Sequence, residues 1–404
     1  MEKVFHATVS RKVVEAKGDF DVSLGNTNGG FLRWKWDGDS LTVTNDRYGI
    51  YPAYYFQNNR EFIISPSLTE VLRFVKNVTF DEDALAVFLR LGWLIGDDTI
   101  FEPIKALPPG CNLAWRNGDL TIDSGGIIKS YPINISRKDA IEMYAELFQK
   151  AIIKTLPSDD LFTVPLSGGR DSRHILFALR NAKRLPEACL TLVHPPPYSN
   201  EDVRIAKMLC KALNLKHYAV EQTNSCFAAE CKKNLLTGFS AYEHGWLIGV
   251  EDFIKGKWAT VYDGFAGGIL SAGMFLGEEN LKLSREGKCD ELADRILEPE
   301  GYIPAMLTRR SYRTLSRERA VAHLSKELAK HLDQPNPITS FYFWNRSRRS
   351  IALSPFRLFG NSVNIIAPYI ETELFDFLSS LKPDLLSDQA FHTDTIAFAY
   401  PEYA

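Results

Sequence analysis

At Ser136 the hydrophobic period of this 404-residue chain changes, and the chain has to be read as two unlike halves. Before that point short alternating runs are separated by turn residues. Phe31-Leu32-Arg33-Trp34-Lys35-Trp36 leads through Asp37-Gly38-Asp39 into Ser40-Leu41-Thr42-Val43-Thr44, the pattern of a β-hairpin. Tyr51 to Phe56 and Glu61 to Ser65, around Gln57-Asn58-Asn59, repeat it. So do Cys111 to Trp115 and Leu120 to Ile122, after the turn Leu107-Pro108-Pro109-Gly110. Asp81 to Leu91 reads as a helix with an acidic cluster at its positive end.

After Ser136 the pattern becomes strand–helix alternation. Ser136 followed by Asp139 is a capping-box-like start, and Ile141, Tyr144, Ala145, Phe148 and Ile152 make a helical stripe. Strands are predicted at Leu161 to Leu166, Ala188 to Val193 and His217 to Val220. Helices are predicted between them, at Asp171 to Lys183 and Glu201 to Leu213. This spacing predicts a parallel sheet with helices on both faces. From Cys226 onward the chain reads as mostly helical, with a Gly-rich interruption at Tyr262 to Gly273.

Composition removes several classes of function. With 47 Lys plus Arg against 50 Asp plus Glu, the net charge of −3 gives no basic footprint for nucleic acid or an anionic membrane. The best apolar stretch, Ala84 to Ile95, is interrupted by Arg90 and falls short of the roughly 18 residues of a membrane span. No charged-then-apolar leader opens the sequence, and none of the six cysteines forms a C-x-x-C pair, so a cytoplasmic protein with reduced thiols is expected.

The segment that carries chemistry is Leu166-Ser167-Gly168-Gly169-Arg170-Asp171-Ser172-Arg173, between a predicted strand and a predicted helix. Two glycines let the backbone turn and approach a ligand. The helix start offers free N–H groups and a positive dipole end to a phosphate chain. Ser167 and Ser172 add hydroxyls, and Arg170 and Arg173 add charge. Asp171 would repel phosphate unless Mg²⁺ stood between them. A Walker loop is absent, since Gly256-Lys257 is followed by Trp258, and no G-x-G-x-x-G after a strand, G-x-S-x-G or H-E-x-x-H occurs.

Ser167-Gly168-Gly169-Arg170-Asp171-Ser172 resembles the S-G-G-x-D-S loop of the ATP pyrophosphatases. The wider chain resembles the asparagine synthetase and β-lactam synthetase family. Asp46-Arg47-Tyr48-Gly49-Ile50-Tyr51-Pro52-Ala53-Tyr54-Tyr55, Thr99-Ile100-Phe101-Glu102-Pro103-Ile104-Lys105-Ala106-Leu107-Pro108-Pro109-Gly110 and Ala367-Pro368-Tyr369-Ile370-Glu371 are similar to family stretches, in the same order. The resemblance implies an α/β protein of two domains. Residues 1–132 would form a β-rich sandwich like that of class II (Ntn-type) glutamine amidotransferases, in degenerate form. Residues 136–404 would form a parallel-sheet ATP pyrophosphatase domain, adenine nucleotide alpha hydrolase-like, with a helical C-terminal part. It also implies a ligase that activates a carboxylate with ATP as an acyl-adenylate, releases pyrophosphate and joins the acyl group to an amine. Leu166 to Arg173, with Val193 and Gly264, would hold ATP and pyrophosphate, and Asp171 and Asp263 would hold Mg²⁺. The implied partners are a small-molecule carboxylate and an amine, such as an amino-acid derivative, and a second copy in a homodimer.

Three departures qualify what the resemblance implies. Glu2 stands where the family's amidotransferases carry a nucleophilic cysteine, so no glutaminase is expected. Gly268 and Ile269 stand where the G-x-G-x-D-E loop carries its acids, leaving Asp263 as ligand or plain turn residue. No Lys or Arg follows Lys382 in the stretch where the family carries a late lysine, which leaves three readings open: the chain stops early, Arg348 or Arg349 substitutes, with Arg349 as the candidate catalytic cation, or amide formation is impaired. Together these leave a second reading open, a degenerate member that binds a nucleotide or a partner without catalysis.

Overall fold

A computed structural model describes residues 3–10, 13–25, 30–157, 161–194, 199–221, 225–241, 244–359 and 363–403. Glu2 lies outside the described residues. The first ten strands are β1 (Phe5–Ser10), β2 (Val13–Gly18), β3 (Asp21–Gly25), β4 (Phe31–Trp36), β5 (Ser40–Asn45), β6 (Tyr54–Gln57), β7 (Glu61–Ser65), β8 (Ile104–Ala106), β9 (Cys111–Arg116) and β10 (Asp119–Ser124). They form two antiparallel sheets, β2-β1-β7-β6-β8 and β10-β9-β5-β4-β3. The β4–β5 turn is set by Asp37, whose Oδ1 accepts the N–H groups of Asp39 (2.9 Å) and Ser40 (2.7 Å). Alternation sends every second residue of β9 inward, and Trp115 stacks on Phe62 of the facing sheet at 5.6 Å. The strand expected from Tyr51 begins only at Tyr54, because Pro52 has no N–H to give a ladder.

The second half carries a parallel sheet of β11 (Phe162–Pro165), β12 (Ala188–Val193), β13 (Lys216–Glu221), β14 (Thr260–Tyr262) and β15 (Asn364–Ile366), ordered β13-β12-β11-β14-β15. The chain therefore runs outward on one side of β11 and then starts again on the other. That reversal places a topological switch point between β11 and β14, where the ends of two strands open a crevice. Helices Arg137–Lys154, Arg170–Asn181 and Glu201–Ala212 fall where the sequence predicts them, the first capped by Ser136 Oγ accepting Asp139 N–H. Among the described residues no helix is long and apolar enough to cross a membrane.

The two halves share one core. Tyr48, Ile50, Trp93 and Ile95 pack with the apolar residues of the second half, as does the helix Glu82–Leu91. Buried arginines close the seam. Arg90 clasps Glu300 through Nε (2.8 Å) and Nη2 (3.0 Å), and its Nη1 donates to the carbonyls of Ala86 and Leu315. Arg348 and Arg349, on the π-helix Phe343–Ile351, reach the 95–107 stretch: Arg348 donates to Leu107 O at 2.8 Å and Arg349 to Asp98 O at 2.7 Å and to Gly96 O.

Candidate active site

The crevice at the switch point is a cavity of about 450 Å³. One wall is the turn after β11, with Leu166, Ser167, Asp171 and Ser172. The opposite wall is the turn after β14, with Asp263, Gly264 and Gly268. Leu190, Thr191 and Leu192 floor it, while Trp246, Leu247, Ile269, Met274 and Phe359 give it an apolar side on which Arg346 also opens.

The turn after β11 satisfies its own backbone. Ser167 N–H donates to Ser172 Oγ (3.1 Å) and Gly169 N–H to Ser167 Oγ (3.1 Å). Gly168 N–H donates to Asp202 Oδ1 at 2.8 Å. A Cβ on Gly168 would lie 2.7 Å from that same oxygen, so only glycine admits the Asp202 carboxylate so close. Asp171 turns across the crevice. Its Oδ2 accepts Gly268 N–H at 3.0 Å, at the start of the short helix Gly267–Ser271, and Oδ1 lies 3.4 Å from His392 Nδ1. Asp263 Oδ1 accepts Phe265 N–H at 2.7 Å, and Ala266 next to it is held in the left-handed region at φ 71°. A non-glycine residue there stores strain of the kind that collects at functional sites.

Burial pushes the Asp171 carboxyl up to about 7, against the opposing effects of the Gly268 N–H and Arg170, and Asp263 adds to the rise. Burial likewise pushes Asp263 up to about 6. Two carboxyls on facing walls, both destabilised as anions, are a donor set that a divalent cation would relieve. Among the described residues no group of three or more metal-ligating side chains is assembled, so phosphate oxygens and water would complete a Mg²⁺ shell. The residues present fit Mg²⁺ on those terms. Behind Asp171, burial depresses the pKa of His174 and of His392, the latter to about 3, and keeps both imidazoles neutral.

The structure gathers Leu166, Ser167, Asp171, Ser172, Asp263 and Gly264 around one cavity. It does not gather the rest. Gly168 and Gly169 shape the turn without lining the cavity. Arg170 turns out to Gln389 O (2.7 Å) and Arg173 back to Gly169 O (3.1 Å). Val193 ends β12 while its neighbours Leu192 and His194 line the wall. Arg349 is 6% exposed and bound to the carbonyls of the seam, away from the crevice, whereas Arg346, three residues earlier, lines it. The glycines that abut the Asp171 carboxylate are Gly267 and Gly268, since a Cβ on either would lie 2.7 Å from Asp171 Cγ and 3.5 Å from Oδ2 respectively. Ile269 packs into the apolar wall instead. Sequence reasoning does not find Asp202, Arg346 or His392, whose places in the site depend on the fold.

Known proteins match parts of this chain. A family profile for a glutamine amidotransferase domain matches residues 12–125. Glutamine-hydrolysing asparagine synthetase 2 of Bacillus subtilis is 24% identical over 212 residues, 46% of this chain and 27% of that protein. A Methanocaldococcus jannaschii protein named for the same activity is 27% identical over 151 residues, 35% of this chain and 28% of that protein. The matched stretch thus spans little more than a quarter of either relative. An NH3-dependent NAD synthetase structure from Campylobacter jejuni aligns with 47% of this chain and 95% of its own at 16% identity, with a TM-score of 0.22. The amidotransferase-type sandwich, the ordered family stretches and these relatives support a likeness to the asparagine synthetase-like family.

Proposed function

We propose that the chain is an ATP-dependent, amide-forming ligase that activates a small-molecule carboxylate as an acyl-adenylate and does not hydrolyse glutamine. The observation that carries this reading is the meeting of the Ser167–Ser172 turn with Asp263 and Asp171 across one cavity at the switch point. A carboxylate oxygen of the substrate attacks the α-phosphorus of ATP, the bond to the β-phosphate oxygen breaks, and pyrophosphate leaves toward Ser167 and Ser172. An amine nitrogen then attacks the acyl carbon and AMP departs with the bridging oxygen. Mg²⁺, held by Asp171 and Asp263, would offset charge on the leaving pyrophosphate. The apolar wall excludes water from the activated acyl group.

Loss of glutamine hydrolysis is supported by the sandwich itself. Its single cysteine, Cys111, points into the core with 1% exposure, and burial pushes its thiol up to about 12. A thiol that stays protonated is no nucleophile at neutral pH.

A second reading, a nucleotide-binding member without catalysis, is favoured by one observation: Asp202 sits on the Gly168 N–H that a phosphate oxygen would need. Pyrophosphate release with ATP and Mg²⁺, measured against amino acids and amino-acid-derived carboxylates, separates the two. Release that needs both a carboxylate and Asp171 is expected, with Asp171→Ala slower by at least ~100-fold. Nucleotide binding with no release from any acid would replace the ligase by the second reading.

A further inference from the structure

Behind the cavity wall a set of fully buried polar side chains ends on Asp171. His392, on the helix Phe391–Ala399, has no solvent exposure, nor do His174, Ser271, Tyr144 and Tyr369. Their protons can be assigned by counting donors. Ser271 Oγ–H donates to Gly267 O at 2.7 Å, so its oxygen accepts from Tyr144 Oη and from His392 Nδ1, each at 3.0 Å. A bare lone pair on Nδ1 would also face Asp171 Oδ1 at 3.4 Å. Nδ1 therefore carries the proton, and Nε2 accepts from His174 Nδ1 at 3.1 Å. Tyr369 Oη–H holds the same residue from its backbone, donating to Asp171 O at 3.2 Å. Among the described residues His174 Nε2 has no partner, a cost that a purely apolar packing would avoid.

We infer that His392 is a positioning residue, its Nδ1–H shared between Ser271 Oγ and Asp171 Oδ1 and so orienting that carboxylate while Gly268 N–H holds Oδ2, so that Asp171 presents its remaining lone pairs to a metal in the cavity. The inference rests on the reading of Asp171 as a metal ligand. Partners that orient a ligating carboxylate matter to affinity by about 10–100-fold. Asn at 392 would place its amide nitrogen where Nδ1 stands, and Gln would place it where Nε2 stands, so the two substitutions divide the imidazole's two roles.

The test is Mn²⁺ binding, followed by electron paramagnetic resonance, on the full chain with α,β-methylene-ATP. Asp171→Ala and His392→Gln are expected to weaken Mn²⁺ binding at least tenfold, and His392→Asn to stay within threefold of the unaltered chain. His174→Phe keeps the ring stacked on Phe148 but removes the donor that sets the His392 tautomer. It is expected to weaken binding about threefold, and decides the matter should His392→Gln fail to fold. Unchanged binding by His392→Gln and His174→Phe, with binding lost in Asp171→Ala, overturns the positioning role and leaves Asp171 as a ligand. Equal losses in His392→Asn and His392→Gln overturn it too, by showing a packing effect. Unchanged binding by Asp171→Ala overturns both readings.

Discussion

The seam between the halves and the crevice at the switch point are built from the same polar residue types, but they satisfy them differently. In the seam, Arg90 and Arg349 spend their guanidinium groups on backbone carbonyls and, for Arg90, on Glu300. In the crevice, Asp171 and Asp263 each meet one backbone N–H, and burial raises both carboxyls above their ordinary range. A charged group closed off by its own chain holds the fold together. One left short of partners beside a cavity is available to a ligand. Arg346 and Arg349 stand on one π-helix, where Ala352 N–H reaches back five residues to Ser347 O; Arg346 lines the crevice with its guanidinium over the rings of Trp93 and Phe275, and Arg349 is bound in the seam.

The sharpest way to break this contrast is Arg349→Met. If Arg349 belongs to the seam, the substitution strands two or three carbonyls and destabilises the fold by ~3 kcal/mol, read by urea unfolding, while ATP affinity of the folded protein stays unchanged. Wild-type stability with impaired pyrophosphate release would return Arg349 to the crevice. A smaller effect is expected at Asp202. Asp202→Asn removes a negative charge from the Gly168 N–H and should tighten pyrophosphate binding about three- to tenfold, a gain of ~1 kcal/mol. Weaker binding measured by calorimetry would make Asp202 part of the cradle rather than its competitor.

The smallest effect belongs to the seam. His323 Nε2 lies 2.8 Å from Asp98 Oδ2, and that hydrogen bond, opposed by burial, raises the imidazole above its ordinary value of 6.5. A raised histidine contributes stability that is fully present below the unfolded value and lost as pH climbs through the folded one. Unfolding free energy should therefore fall by ~0.5 kcal/mol from pH 6 upward into the alkaline range, with the fall absent in His323→Gln. A slope identical in both proteins would assign it to another group.

How much of this was legible in sequence follows from how local each signal is. Ser136 with Asp139, the Asp37 turn and the Gly-Gly loop before a helix act over three or four residues, and the structure reproduces them. Strands β14 and β15 are three residues each, too short for any period, and they exist because β11 offers an edge for β14 and β14 one for β15. The choice between Arg346 and Arg349 depended on a π-helix that no residue pattern announces. His392 lies 221 residues after Asp171, and only the fold brings them together.

The most direct test of the ligase reading follows an oxygen atom. With ATP, Mg²⁺ and a responding acid labelled with ¹⁸O in its carboxylate, the account predicts AMP carrying one labelled oxygen from each turnover and unlabelled pyrophosphate. Amide product accompanied by unlabelled AMP, or by ADP and labelled phosphate, would contradict it.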